Sequence, residues 1–204
     1  MLENLVLASG NPGKIREFDR LLAPLGVTVL NQVQLGVEAA DEPFDTFVEN
    51  ALAKARHVSR KTGLPALADD SGICVPSLGG EPGVRSARYA EALAGVTQDE
   101  ANNRKLVLAL EGVPDRRAYY VAVLVLVTHA ADPLPVIAQG LWSGEVIDIP
   151  QGEHGFGYDP HFWMADLGKT VAQLDPDQKN QLSHRGQAMR AMIAALQSRG
   201  LIRR

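Results

Sequence analysis

Cysteine is almost absent from this chain: Cys74 is the single one among 204 residues. No intrachain disulfide can form, which is compatible with a reducing compartment. Cys74 sits in an apolar strand pattern and reads as core packing rather than a nucleophile. Basic runs are missing too. With a formal net charge of −4, the chain offers no electrostatic track for nucleic acid, and any phosphate binding has to be local. No apolar stretch approaches the roughly 20 residues of a membrane span; the longest, Tyr119 to Val127, reads as a buried strand. The opening Met1-Leu2-Glu3-Asn4 does not lead from a basic region into a signal-length apolar segment. The expectation is a soluble cytoplasmic protein with neither a nucleic-acid nor a membrane partner. Repeats and low-complexity linkers are also lacking. What remains, 46% hydrophobic and 22% charged residues, is an ordinary globular balance. The length suits one domain over 1–204, with room for two lobes.

Strand and helix signals alternate early. Leu5–Ala8 is a short apolar run ending at the turn Ser9-Gly10-Asn11-Pro12-Gly13. Ile15, Phe18, Leu21, Leu22 and Leu25 then recur at helical spacing, with Gly26 as a stop and Val27–Leu30 as a second strand. Thr46 and Glu49 form a capping-box pattern that opens a second helix, with Phe47, Ala51, Ala55 and Val58 toward the core and Gly63 at its end. Leu64–Ala68 runs into Asp69-Asp70-Ser71-Gly72, after which Ile73–Val75 resumes an extended pattern. Residues 77–88, rich in glycine, read as a loop. A helix over Thr97–Leu110 precedes two long extended segments, Ala118–Thr128 and Pro135–Ile149, expected to pair antiparallel. Asp175-Pro176-Asp177-Gln178 opens another helix. Continued unbroken, it would set Lys179 and Arg185 about 120° apart around the axis. A break near Leu182, with Ser183 capping a new helix, places His184 and Arg185 in a first turn instead, and the break is the favoured reading. The pattern predicts an α/β fold, a mixed sheet flanked by helices.

Five stretches could carry chemistry. Ser9-Gly10-Asn11-Pro12-Gly13-Lys14 joins a strand to a helix, where backbone N–H groups and the helix dipole favour phosphate. It is neither a Walker A loop nor GxGxxG, and taken alone it reads first as a plain strand-to-helix turn with a solvated lysine. Asp69-Asp70-Ser71-Gly72 puts two carboxylates at the end of an apolar run, which is costly without compensation. A strand-end aspartate could hold Mg²⁺ or polarise a water; the bland alternative is an Asx turn. Asp41-Glu42 could add a metal ligand or be solvated loop charge, and Lys54, among alanines, could be a second phosphate donor or merely exposed. In Gly155-Phe156-Gly157-Tyr158-Asp159-Pro160 the glycines permit close backbone approach, Phe156 could stack on a purine, and Asp159 could bond a base edge. Tyr158 there reads as a core anchor. Ser183-His184-Arg185-Gly186 offers a planar guanidinium fork; no serine or cysteine motif accompanies His184 to make it a catalytic base.

Six segments, in order across almost the whole chain, resemble one family, the inosine/xanthosine-triphosphate pyrophosphatases that act on non-canonical purine nucleotides. They are 9–14, Thr-Phe-Val-Glu-Asn-Ala (46–51), Ala-Asp-Asp-Ser-Gly (68–72), Gly-Gly-Glu-Pro-Gly-Val-Arg-Ser-Ala-Arg-Tyr (79–89), 155–160 and 183–186. The resemblance implies a homodimer, a long central mixed sheet, two lobes with a nucleotide cleft between them, Mg²⁺ as cofactor, and ITP, dITP and XTP as substrates cleaved to monophosphate and pyrophosphate. It implies that Ser9, Gly10, Asn11, Pro12, Gly13, Lys14 and Lys54 hold the triphosphate and that Ser71 joins the substrate-binding set. Asp70 would be the catalytic proton acceptor and a metal ligand. Phe156, Gly157, Tyr158, Asp159, Lys179, His184 and Arg185 would surround the nucleotide, mainly its base. Where the family shows two glutamates and a glycine two positions after the second, this chain has Asp41-Glu42-Pro43-Phe44. The choice between Asp41 and Glu42 as metal ligand therefore stays open.

Overall fold

The computed structural model describes residues 1–92 and 94–203. Strand β1 (Asn4–Leu7) pairs in parallel with β2 (Thr28–Asn31) and with β3 (Ala66–Cys74). Parallel neighbours need a crossover; helix α1 (Pro12–Leu22) connects the first pair, and α2 (Phe47–Thr62) leads from β2 to β3. Strands β4 (Arg117–Val127), β5 (Val136–Val146), β6 (Phe162–Met164) and β7 (Lys169–Thr170) complete a seven-stranded sheet of order β2-β1-β3-β4-β5-β6-β7. The β5–β6 and β6–β7 pairs are antiparallel, so the sheet is mixed. The remaining helices are α3 (Gln98–Ala109), α4 (Pro176–Leu182) and α5 (His184–Ser198).

Local chemistry accounts for the helix ends. Asn11 caps α1, its side chain accepting from the Gly13 and Lys14 N–H groups, with Pro12 in the first turn. Pro24 cannot supply a helical N–H, and a short 3₁₀ turn over Ala23–Leu25 replaces the last α turn predicted there. Thr46 Oγ accepts from the Glu49 N–H and donates to the Glu49 carboxylate; losing such a cap costs about 1 kcal/mol. The break before His184 is present. Ser183 is extended at ψ 155° and its hydroxyl accepts from Gly186 N–H at 3.1 Å, so α4 stops and α5 starts afresh.

Two expectations need correction. Asp69-Asp70-Ser71-Gly72 is not a turn at a strand end; it lies inside the continuous strand β3. Lysines compensate the carboxylates, as described below, and the bare Gly72 lets another segment lie flat on the strand: a Cβ there would stand 2.4 Å from Ser86 Oγ and 2.6 Å from the Gly83 carbonyl. Ser86 Oγ in turn accepts from the Ile73 N–H at 2.9 Å. The stretch 77–88 is also not plain loop, since it contains 3₁₀ turns at Pro76–Leu78 and Gly83–Arg88.

The chain forms two compact units. One comprises Met1–Asp70, Val123–Gln139 and Ala188–Arg204; the other comprises Ser71–Ala122 and Gly140–Gln187. The first buries Leu5, Leu7, Phe18, Leu22, Leu67, Met192 and Leu196. The second has a core of Ile73, Val75, Leu106, Leu110, Tyr120, Phe162 and Leu174.

Candidate active site

In the first unit, charge is concentrated beside the Ser9–Lys14 turn. Consecutive strand residues project to opposite faces, so no single ammonium can neutralise Asp69 and Asp70 through their carboxylates alike. Two lysines do it. Lys14 Nζ lies 2.6 Å from Asp69 Oδ2, a carboxylate that is 1% exposed. Lys54 Nζ donates to Asp70 Oδ1 at 2.8 Å, to Glu42 Oε1 at 2.8 Å and to the Asp69 carbonyl at 2.9 Å. Those three bonds use every proton of the ammonium. Ser9, Gly10, Lys14, Glu42, Lys54 and Asp69 line a cavity of about 190 Å³. Ser9 Oγ accepts from Asn11 N–H, and Asn11 Oδ1 takes the Gly13 and Lys14 amides. The turn therefore satisfies its own helix N-terminus, and Lys14 is its clearest offering to an anion.

Three carboxylates here face two ammonium groups. Burial pushes the Asp70 carboxyl above the usual carboxylate range; Lys54 pulls it back, and Glu42 and Asp69 add to the push. Burial also works against the Lys54 charge, but Asp70 and Glu42 outweigh it and hold the ammonium above its ordinary value. Asp70 Oδ2 is buried with no hydrogen-bond partner, a position costly to leave empty. Among the described residues no three His, Cys, Asp or Glu side chains form a ready metal cluster. The donor set still fits Mg²⁺, which is commonly held by one or two carboxylates and completed by substrate phosphates and water. Glu42 is part-buried and shares Lys54 with Asp70, whereas Asp41 is exposed.

In the second unit, Asp159 organises the glycine-rich loop. It is 3% exposed. Its Oδ1 accepts from the Tyr120 hydroxyl at 3.0 Å, its Oδ2 from the Phe156 N–H at 2.9 Å, and Lys179 forms an ion pair with it. With both oxygens so engaged, its visible task is to shape the loop rather than to read a base edge. The loop closes tightly enough that a Cβ on Gly155 would lie 2.1 Å from Asp159 Oδ2. Phe156 is left 63% exposed, with Lys179 Nζ 4.5 Å from its ring centroid. Tyr158 is the core anchor expected from its pattern, its hydroxyl donating to the Ser86 carbonyl at 2.8 Å. His184 stacks on Tyr120 with centroids 4.8 Å apart, and Arg185 Nη2 donates to Ser71 Oγ at 3.2 Å.

Lys14, Lys54, Glu42 and Asp70 are thus brought together in one unit, and Phe156, Asp159, Lys179 and His184 in the other. Sequence reasoning missed Tyr120, which it placed in a buried strand without asking where its hydroxyl goes. A phenol inside such a strand needs a polar partner, and that was the available signal. Burial, then Asp159, raise the Tyr120 pKa well above its ordinary value, so it serves as a neutral donor and a stacking platform.

A family profile described as the Ham1 family matches residues 5–195. The chain is 58% identical over 203 residues to a dITP/XTP pyrophosphatase of Bordetella pertussis, covering 100% of this chain and 95% of that one. It is 60% identical over 195 residues to a dITP/XTP pyrophosphatase of Ralstonia nicotianae, covering 96% and 97%. Among solved structures, a HAM1 protein from Coxiella burnetii superposes with a TM-score of 0.91 at 43% identity, covering 97% of this chain and 100% of that one.

Proposed function

The chain belongs to the Ham1 family, and from that footing we propose that it is a nucleoside-triphosphate pyrophosphatase. It hydrolyses ITP, dITP and XTP to the monophosphate and pyrophosphate, clearing them from the nucleotide pool. The observation that carries this reading is the pairing of Lys14 with Asp69 and of Lys54 with Glu42 along one polar cavity, where Lys54 also holds Asp70. A pure binding module gains little from excess negative charge next to phosphates. A hydrolase needs a base and a cation-holding carboxylate there.

Water attacks the α-phosphorus; its oxygen forms the new P–O bond as the α–β anhydride bond breaks and pyrophosphate leaves. Asp70 accepts the water proton. Lys14 and Lys54, held by carboxylates in the free protein, turn part of their charge to the phosphate oxygens. When bound, Mg²⁺ supplies further neutralisation of the polyphosphate. Asp70 and Glu42 are the residues that would hold it, Glu42 being preferred to the exposed Asp41. Phe156 stacks on the base, and donors of the His184–Arg185 turn meet the O6 carbonyl of hypoxanthine or xanthine. The amino group of adenine would leave those donors unpaired, which can discriminate by about 10⁴ or more. The resemblance further carries a homodimer working in the cytoplasm. No helix among the described residues is long and apolar enough to cross a membrane.

The test is to incubate the purified protein with ITP and Mg²⁺ and identify the products. IMP plus pyrophosphate is expected, with ITP turned over far faster than ATP or GTP. IDP plus orthophosphate, or nucleotide binding without turnover, would overturn the reading.

A further inference from the structure

Helix α3 spends much of its inward side on amides. Asn102 and Asn103 are buried next to Ala101 and ahead of Leu106. Buried amides are unfavourable unless their bonds are made, so their partners reveal what the helix is for. Asn102 Nδ2 donates to the Ser86 and Ala87 carbonyls at 3.2 and 3.3 Å, and its Oδ1 accepts from the Ala90 N–H at 2.8 Å. The same Ser86 carbonyl receives the Tyr158 hydroxyl. Asn103 Nδ2 donates to the Gly157 carbonyl at 2.7 Å, and Asp99 Oδ2 accepts from the Gly157 N–H at 2.7 Å. Residues four apart share a helix face, so one turn of α3 grips both polar groups of a single glycine more than fifty positions away. Gly157 stands directly after Phe156 and two residues before Asp159.

We propose that Asp99 and Asn103 are positioning residues for base recognition: they hold Gly157 so that the Phe156 ring is presented in its stacking position before any nucleotide arrives. The inference rests on Phe156–Asp159 being the base-binding loop. The Asp159 carboxylate holds the loop from within, at the Phe156 N–H. The α3 pair holds it from behind, at the next residue. Asp99 is exposed, and Asn103, though buried, borders open space. Both line a groove of about 740 Å³ together with Val107, Leu108 and Pro160. Water can reach the released groups when either side chain is truncated, so the fold tolerates the change while the loop loses its fixed shape. Preorganisation of this kind acts on binding rather than on the chemical step.

The experiment compares the full-length parent with Asp99→Ala, Asn103→Ala and Asp99→Asn, the last keeping an oxygen that can accept from Gly157. Each alanine variant is expected to raise KM for ITP about tenfold, the size of one lost charge-assisted or buried hydrogen bond, with kcat little changed. Inhibition by inorganic tripolyphosphate, which probes the lysine-lined cavity alone, should match the parent. Asp99→Asn should stay close to the parent in every readout. Parent-like KM in both alanine variants, or a joint loss of kcat, tripolyphosphate inhibition and thermal midpoint, overturns the proposal. Amide exchange of the parent gives a variant-free check: the Gly157 amide should be protected without ligand, and protection that arises only on adding IMP overturns it too. A parent that releases no pyrophosphate from ITP defeats the functional reading instead, leaving the exchange result to judge the clamp.

Discussion

Each unit holds a buried aspartate on a lysine, and the two arrangements are finished to different degrees. Asp159 has donors on both carboxylate oxygens: a phenol on one, a backbone amide and the Lys179 ammonium on the other. Around Asp70, three carboxylates share two ammonium groups, one carboxylate oxygen is buried without a partner, and burial raises the carboxyl pKa. A completed network rigidifies a loop; an incomplete one stores electrostatic cost that an incoming cation and polyphosphate can relieve. The contrast separates a scaffold carboxylate from a working one more sharply than residue type could, since both are Asp–Lys pairs.

The largest test of that contrast is Asp70→Asn. Pyrophosphate release should fall by about 10² to 10⁴, the usual worth of a positioned general base, and parent-like turnover would break the assignment. Stability gives a second readout through its dependence on pH. A carboxyl whose folded pKa is raised favours the folded state fully below its ordinary value of 3.8 and loses that contribution as pH rises through the raised pKa. Asp70→Asn also takes a partner from the Lys54 ammonium, a loss that the Lys54 charge carries across the acid-to-neutral range, so the pH dependence isolates the carboxyl. Calorimetry of metal-free protein should show the melting-point difference shifting in favour of Asp70→Asn as pH rises from strong acid toward neutrality. A difference that stays constant, or shifts toward the parent, would mean that the carboxylate is already satisfied.

Much of this could be read from the sequence, and the rest fails for identifiable reasons. The caps at Thr46, Asp175 and Ser183 and the split between α4 and α5 follow from short-range hydrogen bonding, which sequence spacing encodes directly. Candidate residues in both units, though not Tyr120, also stand out, because paired aspartates after an apolar run and a glycine-bracketed phenylalanine are conspicuous in any globular chain. The strand course through Asp69–Gly72 does not. Turn propensity is a local property, and it was overridden here by Lys14, Lys54 and Ser86, partners set far away in the chain. Asp99 and Asn103 were invisible for the same reason. On α3 they resemble ordinary helix polar residues until Gly157 is seen in their grip.

Phe156→Ala probes the finished side of the comparison. The ring is 63% exposed, so its removal should change stability by no more than about 0.5 kcal/mol. Loss of a base-stacking face typically costs about 1–3 kcal/mol. KM for ITP should therefore rise by roughly one order of magnitude, while kcat and tripolyphosphate inhibition hold. An unchanged KM would show that the aromatic unit is scaffold throughout and that the base is read elsewhere.

Tyr120→Phe is the smallest change, one oxygen, and it asks whether Asp159 owes its quiet behaviour to being fully bonded. The substitution keeps the stacks with Phe162 and His184 and removes only the donor to Asp159 Oδ1. A buried acceptor deprived of its partner costs about 1–3 kcal/mol. Denaturant unfolding should thus show a loss in that range, far more than the exposed phenylalanine causes. The Phe156 N–H and Lys179 still hold the other oxygen, so turnover should decline less than in Asp70→Asn by at least an order of magnitude. If Tyr120→Phe instead matched Asp70→Asn in lost turnover without losing stability, Asp159 would have to act on the reacting groups themselves. The division between a scaffold carboxylate and a working one would then no longer describe this molecule.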